Sequence, residues 1–284
     1  MIVVTGATGN VGRALVSQLT ADRVPVRALT RDPARARLPE GAEVVRFAGP
    51  GEPAAMAAQF EGATALFLHL AAGGEGTPAL LAAARDGGVK HVVVLSSIIV
   101  DHDDAAEHPI HVVHSELERR VRESGLGWTA LRPGAFGTNS LQWAPQVRAG
   151  DTVRGPFGEA VTAPVHEADI AAVAAVALRD PAGHTDAVYS LTGPEGITTR
   201  EQIHALGRAV GRELRFEEIA PDEVPAEMFP HVAPEMLPAL LKSFGDSVGT
   251  QPDVTTTVAD VTGRPARTFA RWAEDHADDF RASA

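Results

Sequence analysis

Three histidines, His108, His111 and His114, fall within the segment HPIHVVHSELE, with Glu116 and Glu118 beside them. Imidazole next to carboxylate can bind a metal, relay a proton or clamp a ligand. His111 and His114 are spaced i, i+3 and share one face on a helix. Asp101, His102, Asp103 and Asp104 precede them and would complete a two-histidine, one-carboxylate set. The spacing matches no metal motif such as H-E-x-x-H, so no metal is expected. His114 is the candidate catalytic residue, moving a proton near neutral pH. Its alternatives are a hydrogen bond to cofactor or substrate, or a structural place at a helix start. His108 and His111 read as structural or exposed. Glu118, four residues on, either orients His114 or faces solvent.

A second signature is TGATGNVG, Thr5 to Gly12, with glycines at positions 6, 9 and 12. It follows an apolar run directly and opens a helical pattern. That context is what a dinucleotide loop requires. One glycine makes the turn, one lets a pyrophosphate reach the backbone, and one lets helix and sheet approach. The helix start then offers free N–H groups and the positive dipole end. Gly6, Thr8, Gly9, Asn10, Val11 and Gly12 are therefore candidate cofactor contacts. About twenty residues on, ALTRDP stands where a ribose selector belongs. Arg31 would pair with a 2′-phosphate, whereas Asp32 would accept from a 2′-hydroxyl. Arg31 comes first, with Arg35 and Arg37 beyond it, so NADP(H) is favoured over NAD(H).

The elements that must position these groups alternate. Short apolar runs at 2–4, 24–29, 43–47, 65–70, 91–96 and 128–131 have strand length. Segments 11–20 and 77–86 read as helices between them, with Val11, Leu15 and Leu19 forming one apolar stripe. Alternation of this kind implies an α/β, Rossmann-type, doubly wound parallel sheet. Residues 170–178 read as a helix of small residues, which Asp169 would cap, and 187–192 as one more strand. Residues 1–195 are expected to form the cofactor-binding core, with part of the substrate pocket from about 134–165. Residues 196–284 would form a small, mainly helical substrate lobe over the sheet's C-terminal edge. Within it, 199–210 reads as a helix, proline-punctuated segments follow from 221 to 238, and 254–260 and 268–280 read as a closing helical pair. Phe136, Asn139 and Trp143 are the candidate substrate contacts. Phe157, Met228, Phe229 and Phe244 would floor an apolar pocket or serve as ordinary core.

Composition bounds the rest. The chain has 284 residues, 44% hydrophobic and 22% charged, with a formal net charge of −12. An acidic chain does not suit a phosphate backbone, so no nucleic-acid partner is expected. With no cysteine there is no disulfide and no thiolate chemistry. No signal peptide and no run of membrane-spanning length is evident, so a cytoplasmic protein is expected, with no membrane partner. A small-molecule substrate is expected, and both a monomer and a homodimer fit.

The motifs TGATGNVG, RALTRDPARA, GGVKHVVVLSS, SELERRVRESGLGWTALRPGAF, VHEADIAAVAAVAL and VYSLTGPEGITTREQIHALGRAVGREL occur in that order. Together they resemble the NmrA-like branch of the atypical short-chain dehydrogenase/reductases, and within it the NADPH-dependent quinone-reductase-like proteins. The resemblance covers nearly the whole chain. It implies that His69, Leu70 and Ala71 border the adenosine, that Ser96 and Ser97 lie near the nicotinamide, and that Pro133, Gly134, Ala135 and Phe136 line the nicotinamide and substrate pocket. The wider superfamily uses Tyr-x-x-x-Lys, whereas this chain has Ile110-x-x-x-His114 there. Its single tyrosine, Tyr189, has no lysine four residues on. Quinone-reductase-like relatives also carry histidine where His114 falls. The expected activity is therefore direct hydride transfer from NADPH to a conjugated acceptor such as a quinone or enone. The alternatives are a non-catalytic NADP(H) redox sensor acting through a protein partner, and an imine or ketone reductase of secondary metabolism.

Overall fold

The computed structural model describes residues 1–102, 105–229, 232 and 234–281. In chain order come β1 (Ile2–Val4), α1 (Asn10–Ala21), β2 (Val26–Thr30), β3 (Ala42–Arg46), α2 (Pro53–Ala58), β4 (Ala65–His69), α3 (Thr77–Asp86) and β5 (His91–Leu95). Then follow α4 (Pro109–Arg122), β6 (Gly127–Pro133), α5 (Ala144–Ala149), β7 (Thr152–Gly155), β8 (Val161–Thr162), α6 (Glu167–Arg179) and α7 (Pro181–His184). The chain ends with β9 (Ala187–Leu191), β10 (Ile197–Thr198), α8 (Thr199–Val210), β11 (Arg215–Glu218), α9 (Leu237–Asp246), α10 (Thr257–Thr262) and α11 (Phe269–Asp275).

Two compact units emerge. The first comprises Met1–Gly134, Glu167–Leu191 and Thr257–Arg264. Its seven strands lie in the order β3-β2-β1-β4-β5-β6-β9, every pair parallel. The order reverses between β1 and β4, and in such sheets ligands bind at the C-terminal strand ends beside that reversal. The central strands β1 and β5 are buried along their whole length, and β4 all but its last residue. That explains why they read as continuous apolar runs rather than alternating ones. The Val24 N–H donates to the Leu19 carbonyl at 2.9 Å, so residue 24 belongs to the turn that ends α1. β2 therefore starts two residues later than its pattern suggests. The small residues of α6 let it pack closely on α1, and the Gln18 side chain donates to the Ala168 carbonyl at 2.9 Å. Asp169 lies buried in the first turn of α6.

The second unit comprises Ala135–His166, Thr192–Thr256 and Pro265–Ala284. It is built around α5, α8 and α11, with the parallel pair β7–β11 and the antiparallel pair β8–β10. Trp272 and Phe269 stack at its core, with ring centroids 5.2 Å apart. Gly137 is required there, since a Cβ would lie 2.8 Å from the Trp272 ring. The Thr268 hydroxyl accepts from the Arg271 N–H and caps α11. The sequence pattern extends this final helix through Phe280. The structure ends it at Asp275 and adds a 3-10 turn over Ala277–Phe280.

Candidate functional site

The glycine loop is shaped by its backbone. Gly6 has φ +60, the left-handed region where a Cβ is disfavoured. Its amide plane turns so that the Gly9 N–H donates to the Gly6 carbonyl at 2.9 Å. A Cβ on Gly12 would stand 2.2 Å from that same carbonyl oxygen, so only glycine lets α1 close on the turn. Gly6, Gly9 and Asn10 are exposed, Thr8 is half-buried, and Val11 and Gly12 are buried. No side chain caps α1, and its first turn holds no acidic residue. Its N–H groups and positive dipole end are left for an anion, so these residues fit a pyrophosphate.

Beside the loop stands His69, the last residue of β4. A Cβ on Gly6 would lie 3.3 Å from its side chain. The His69 N–H donates to Thr5 Oγ1 at 2.8 Å, and Thr5 Oγ1 donates to the Phe67 carbonyl. His69 Nδ1 accepts from the Ala71 N–H at 3.1 Å, which assigns the ring proton to Nε2. Burial lowers the His69 pKa. Arg31 follows β2 directly and is exposed, as are Asp32, Arg35 and Arg37. Among the described residues Arg31 has no ion-pair partner, which leaves its guanidinium available.

The three histidines of the opening segment have separate environments. His108 is the N-cap of α4, its Nδ1 accepting from the Ile110 N–H at 3.2 Å. His111 Nδ1 lies 3.3 Å from Ser115 Oγ. His114 is half-buried, and its Nδ1 is buried without a hydrogen-bond partner. Burial lowers its pKa, the Glu118 charge opposes that, and the nearby His69 adds to it. Asp103 and Asp104, weighed above as metal ligands, lie outside the described residues. Among the described residues no group of three or more potential ligands gathers that could hold a metal.

Glu118 neither orients His114 by a hydrogen bond nor faces solvent. Its side chain is 1% exposed and accepts from four donors. These are Ser96 Oγ at 2.6 Å, Arg132 Nε at 2.8 Å, Arg132 Nη2 at 2.6 Å and Arg122 Nη2 at 2.7 Å. Burial pushes the Glu118 carboxyl up, but Arg132, Ser96 and Arg122 outweigh it and hold the pKa below its ordinary value. Arg132 also pairs with Asp101, which accepts from Ser190 Oγ at 2.6 Å. One chain of charge-assisted bonds thus ties the ends of β5, β6 and β9 to α4. Ser97 belongs to the same region, its Oγ 3.5 Å from the Ile99 N–H. Pro133 closes β6, and the Gly134 N–H donates to the Leu191 carbonyl at 2.9 Å. The single tyrosine offers no substitute acid. Tyr189 Oη lies 2.6 Å from His184 Nδ1, and burial raises its pKa.

In the second unit, Ala135, Phe136, Asn139 and Trp143 line a cavity of about 730 Å³, open solvent at its mouth included. Phe216, Met228, Phe229 and Phe244 extend the apolar wall. Phe157, grouped with them on composition, does not line it. Its backbone has φ +52, and its ring tip sits where a Cβ on Gly245 would lie 3.2 Å away. The polar lining is neutral apart from Arg154. Ser140 Oγ donates to Gln202 Oε1 at 3.3 Å, and Gln202 Nε2 donates to Thr162 Oγ1 at 3.0 Å. A capping box of Thr198 and Glu201 sets the start of α8 and so places Thr199 and Gln202. Sequence patterning missed Arg154, Gln202 and Phe216. Thr198-x-x-Glu201 was the one local signal for where Gln202 would sit.

The chain is similar to known proteins. An NAD(P)H-binding family model matches residues 6–181. The chain belongs to this NAD(P)H-binding family. A (4-alkanoyl-5-oxo-2,5-dihydrofuran-3-yl)methyl phosphate reductase of Streptomyces griseus is 41% identical over 99% of both chains. An NAD(P)H azoreductase of Xenophilus azovorans is 34% identical over the full length of both. The NADPH complex of the NADPH-dependent quinone oxidoreductase of Escherichia coli superposes with a TM-score of 0.78 at 27% identity, covering 97% of this chain and 99% of the other. The family member described here is thus an NAD(P)H-dependent oxidoreductase on a Rossmann-type fold. No helix among its described residues is long and apolar enough to cross a membrane.

Proposed function

We propose that this reductase transfers hydride from NADPH to a small conjugated acceptor, a quinone or an enone, without a tyrosine-lysine dyad. The observation that carries the assignment is the bare-backbone anion cradle from Gly6 to Gly12. The α1 N–H groups take the pyrophosphate and Arg31 the 2′-phosphate. His69, Leu70 and Ala71 border the adenosine. Ser96, Ser97, His114, Pro133 and Gly134 position the nicotinamide, with Ala135 and Phe136 following along the chain. When bound, the reduced nicotinamide supplies the hydride. Phe136, Asn139 and Trp143 hold the acceptor in the second unit's cavity.

The chemistry of the relatives' names supports this acceptor class. A dihydrofuranone bearing an alkanoyl group, an azo group and a quinone share a conjugated π-system that takes a hydride and a proton. Such acceptors need little acid assistance, which agrees with the absence of an activated tyrosine. His114 contributes a neutral imidazole, held so by burial, that hydrogen-bonds cofactor or acceptor. Catalysis then rests on proximity and orientation. Stopped-flow oxidation of NADPH against quinones, enones and imines, repeated with NADH, tests this assignment. Rapid oxidation by quinones or enones is expected, faster with NADPH. No oxidation by any class overturns it.

A further inference from the structure

We propose that Gln202 is a specificity-determining residue. Together with Thr162 and Ser140 it takes a carbonyl oxygen of the acceptor, so that conjugated carbonyl compounds are preferred over acceptors of equal size without one, azo compounds among them. This rests on the assignment of the second unit's cavity as the acceptor site. Phe136, Phe216, Phe229 and Phe244 make much of its lining apolar. Ser140, Thr162 and Gln202 line it too, and they come from three separate elements, the 3-10 segment Gly137–Trp143, β8 and α8. Their side chains meet one another at that wall, Ser140 Oγ 3.3 Å from Gln202 Oε1 and Gln202 Nε2 3.0 Å from Thr162 Oγ1. Ser140 is 2% exposed, Gln202 is 6% exposed, and Thr162 is half-buried.

Polar groups buried this deeply call for a partner on each polar hydrogen. The trio carries four such hydrogens, one on each hydroxyl and two on the amide. Two are consumed within the trio. The other two meet no acceptor among the described residues. The count is the same with the amide turned either way, since each hydroxyl both donates and accepts. Unmet buried donors cost free energy, which a ligand oxygen recovers. A carbonyl oxygen offers two lone pairs at one point and suits a neutral donor pair in an apolar surround. An azo nitrogen offers one and accepts weakly, and a hydrocarbon offers none. A site built to donate hydrogen bonds rejects an analogue that lacks the acceptor, because its own groups are then left unpaired.

A purely structural network, tying three elements together, makes a different forecast. Its loss weakens every ligand of the cavity alike. The experiment measures binding of naphthoquinone and of naphthalene by equilibrium dialysis, and takes the ratio of the two affinities. Gln202→Met keeps the length of the side chain without its donors. Thr162→Val keeps the shape without the hydroxyl, and at a half-buried position it carries the test if Gln202→Met does not fold. Relative to wild type, the preference for the quinone falls about fivefold in Gln202→Met, the effect of one neutral hydrogen bond, and by a smaller factor in Thr162→Val. The ratio of kcat/KM for naphthoquinone to that for azobenzene falls in the same order. A binding preference that neither variant moves overturns the role of Gln202, and NADPH oxidation by naphthoquinone in those variants leaves the reductase assignment standing. A quinone preference that depends on Gln202, without NADPH oxidation by any acceptor, supports the carbonyl anchor and overturns the reductase assignment.

Discussion

Replacing Glu118 by alanine removes the carboxylate on which four side-chain hydrogen bonds converge. Ser96, 2% exposed, is left with a buried hydroxyl and no carboxylate to meet it. Arg132, its side chain 12% exposed, keeps only Asp101 as an ion-pair partner. Arg122 is 43% exposed and turns to water at little cost. Breaking a buried pair from one side costs about 3–5 kcal/mol. The surviving Asp101 contact puts this case near the lower end, at about 3 kcal/mol. Glu118→Gln keeps the shape but not the charge and should cost about 2 kcal/mol. Urea unfolding followed by tryptophan fluorescence at pH 7 measures both. The sign of the pH dependence follows from the lowered carboxyl pKa. The stabilisation is fully present above the ordinary value of 4.5 and is lost as pH falls through the folded-state value. Wild type and Glu118→Gln therefore differ fully at pH 7 and converge on acidification below about 4.5. A loss below about 1 kcal/mol at pH 7, or a gap that persists undiminished in acid, refutes the network as the source of stability.

Three further outcomes are expected. Gly12→Ala forces its Cβ to 2.2 Å from the Gly6 carbonyl oxygen unless α1 retreats, so NADPH affinity measured by calorimetry should fall by about 1–3 kcal/mol; unaltered affinity rejects the cradle. Arg31→Ser should weaken NADPH by about 1.5–3 kcal/mol and NADH hardly at all, since only the 2′-phosphate meets the guanidinium; equal loss for both cofactors assigns Arg31 elsewhere. His114→Ala should lower turnover or cofactor affinity by about 0.5–3 kcal/mol. Because burial keeps the wild-type ring neutral, the wild-type rate should be level at and above pH 7 and fall only below the ordinary histidine value of 6.5, and that acid limb should vanish in the variant. An acid limb identical in both proteins traces the titration to another group.

What could be read along the chain and what could not divides by the distance over which the cause acts. The fold was legible because a strand buried on both faces reads as an unbroken apolar run, as Val92–Leu95 does, and because Gly6 and Gly12 are demanded by backbone geometry within one turn. The position of Arg31 was legible for the same reason, since it follows β2 immediately. The Glu118 network was not, because its partners Ser96 and Arg132 lie 22 and 14 residues away, one just past the end of β5 and the other in β6. Only the β5–β6 register, Leu95 beside Leu131, sets their positions next to α4. Arg154 and Phe216 are further still from any shared motif, and they meet the cavity because β7 and β11 pair in parallel. The same distinction resolves the crowded histidines. Their proximity in sequence suggested one shared chemistry, yet α4 turns His108 into a cap, gives His111 to Ser115 and buries one nitrogen of His114. A buried imidazole nitrogen without a partner costs free energy in the resting protein and is relieved by any ligand that donates to or accepts from it. Of the three, His114 alone carries that unmet demand, which makes it the histidine whose loss the cofactor or acceptor should register.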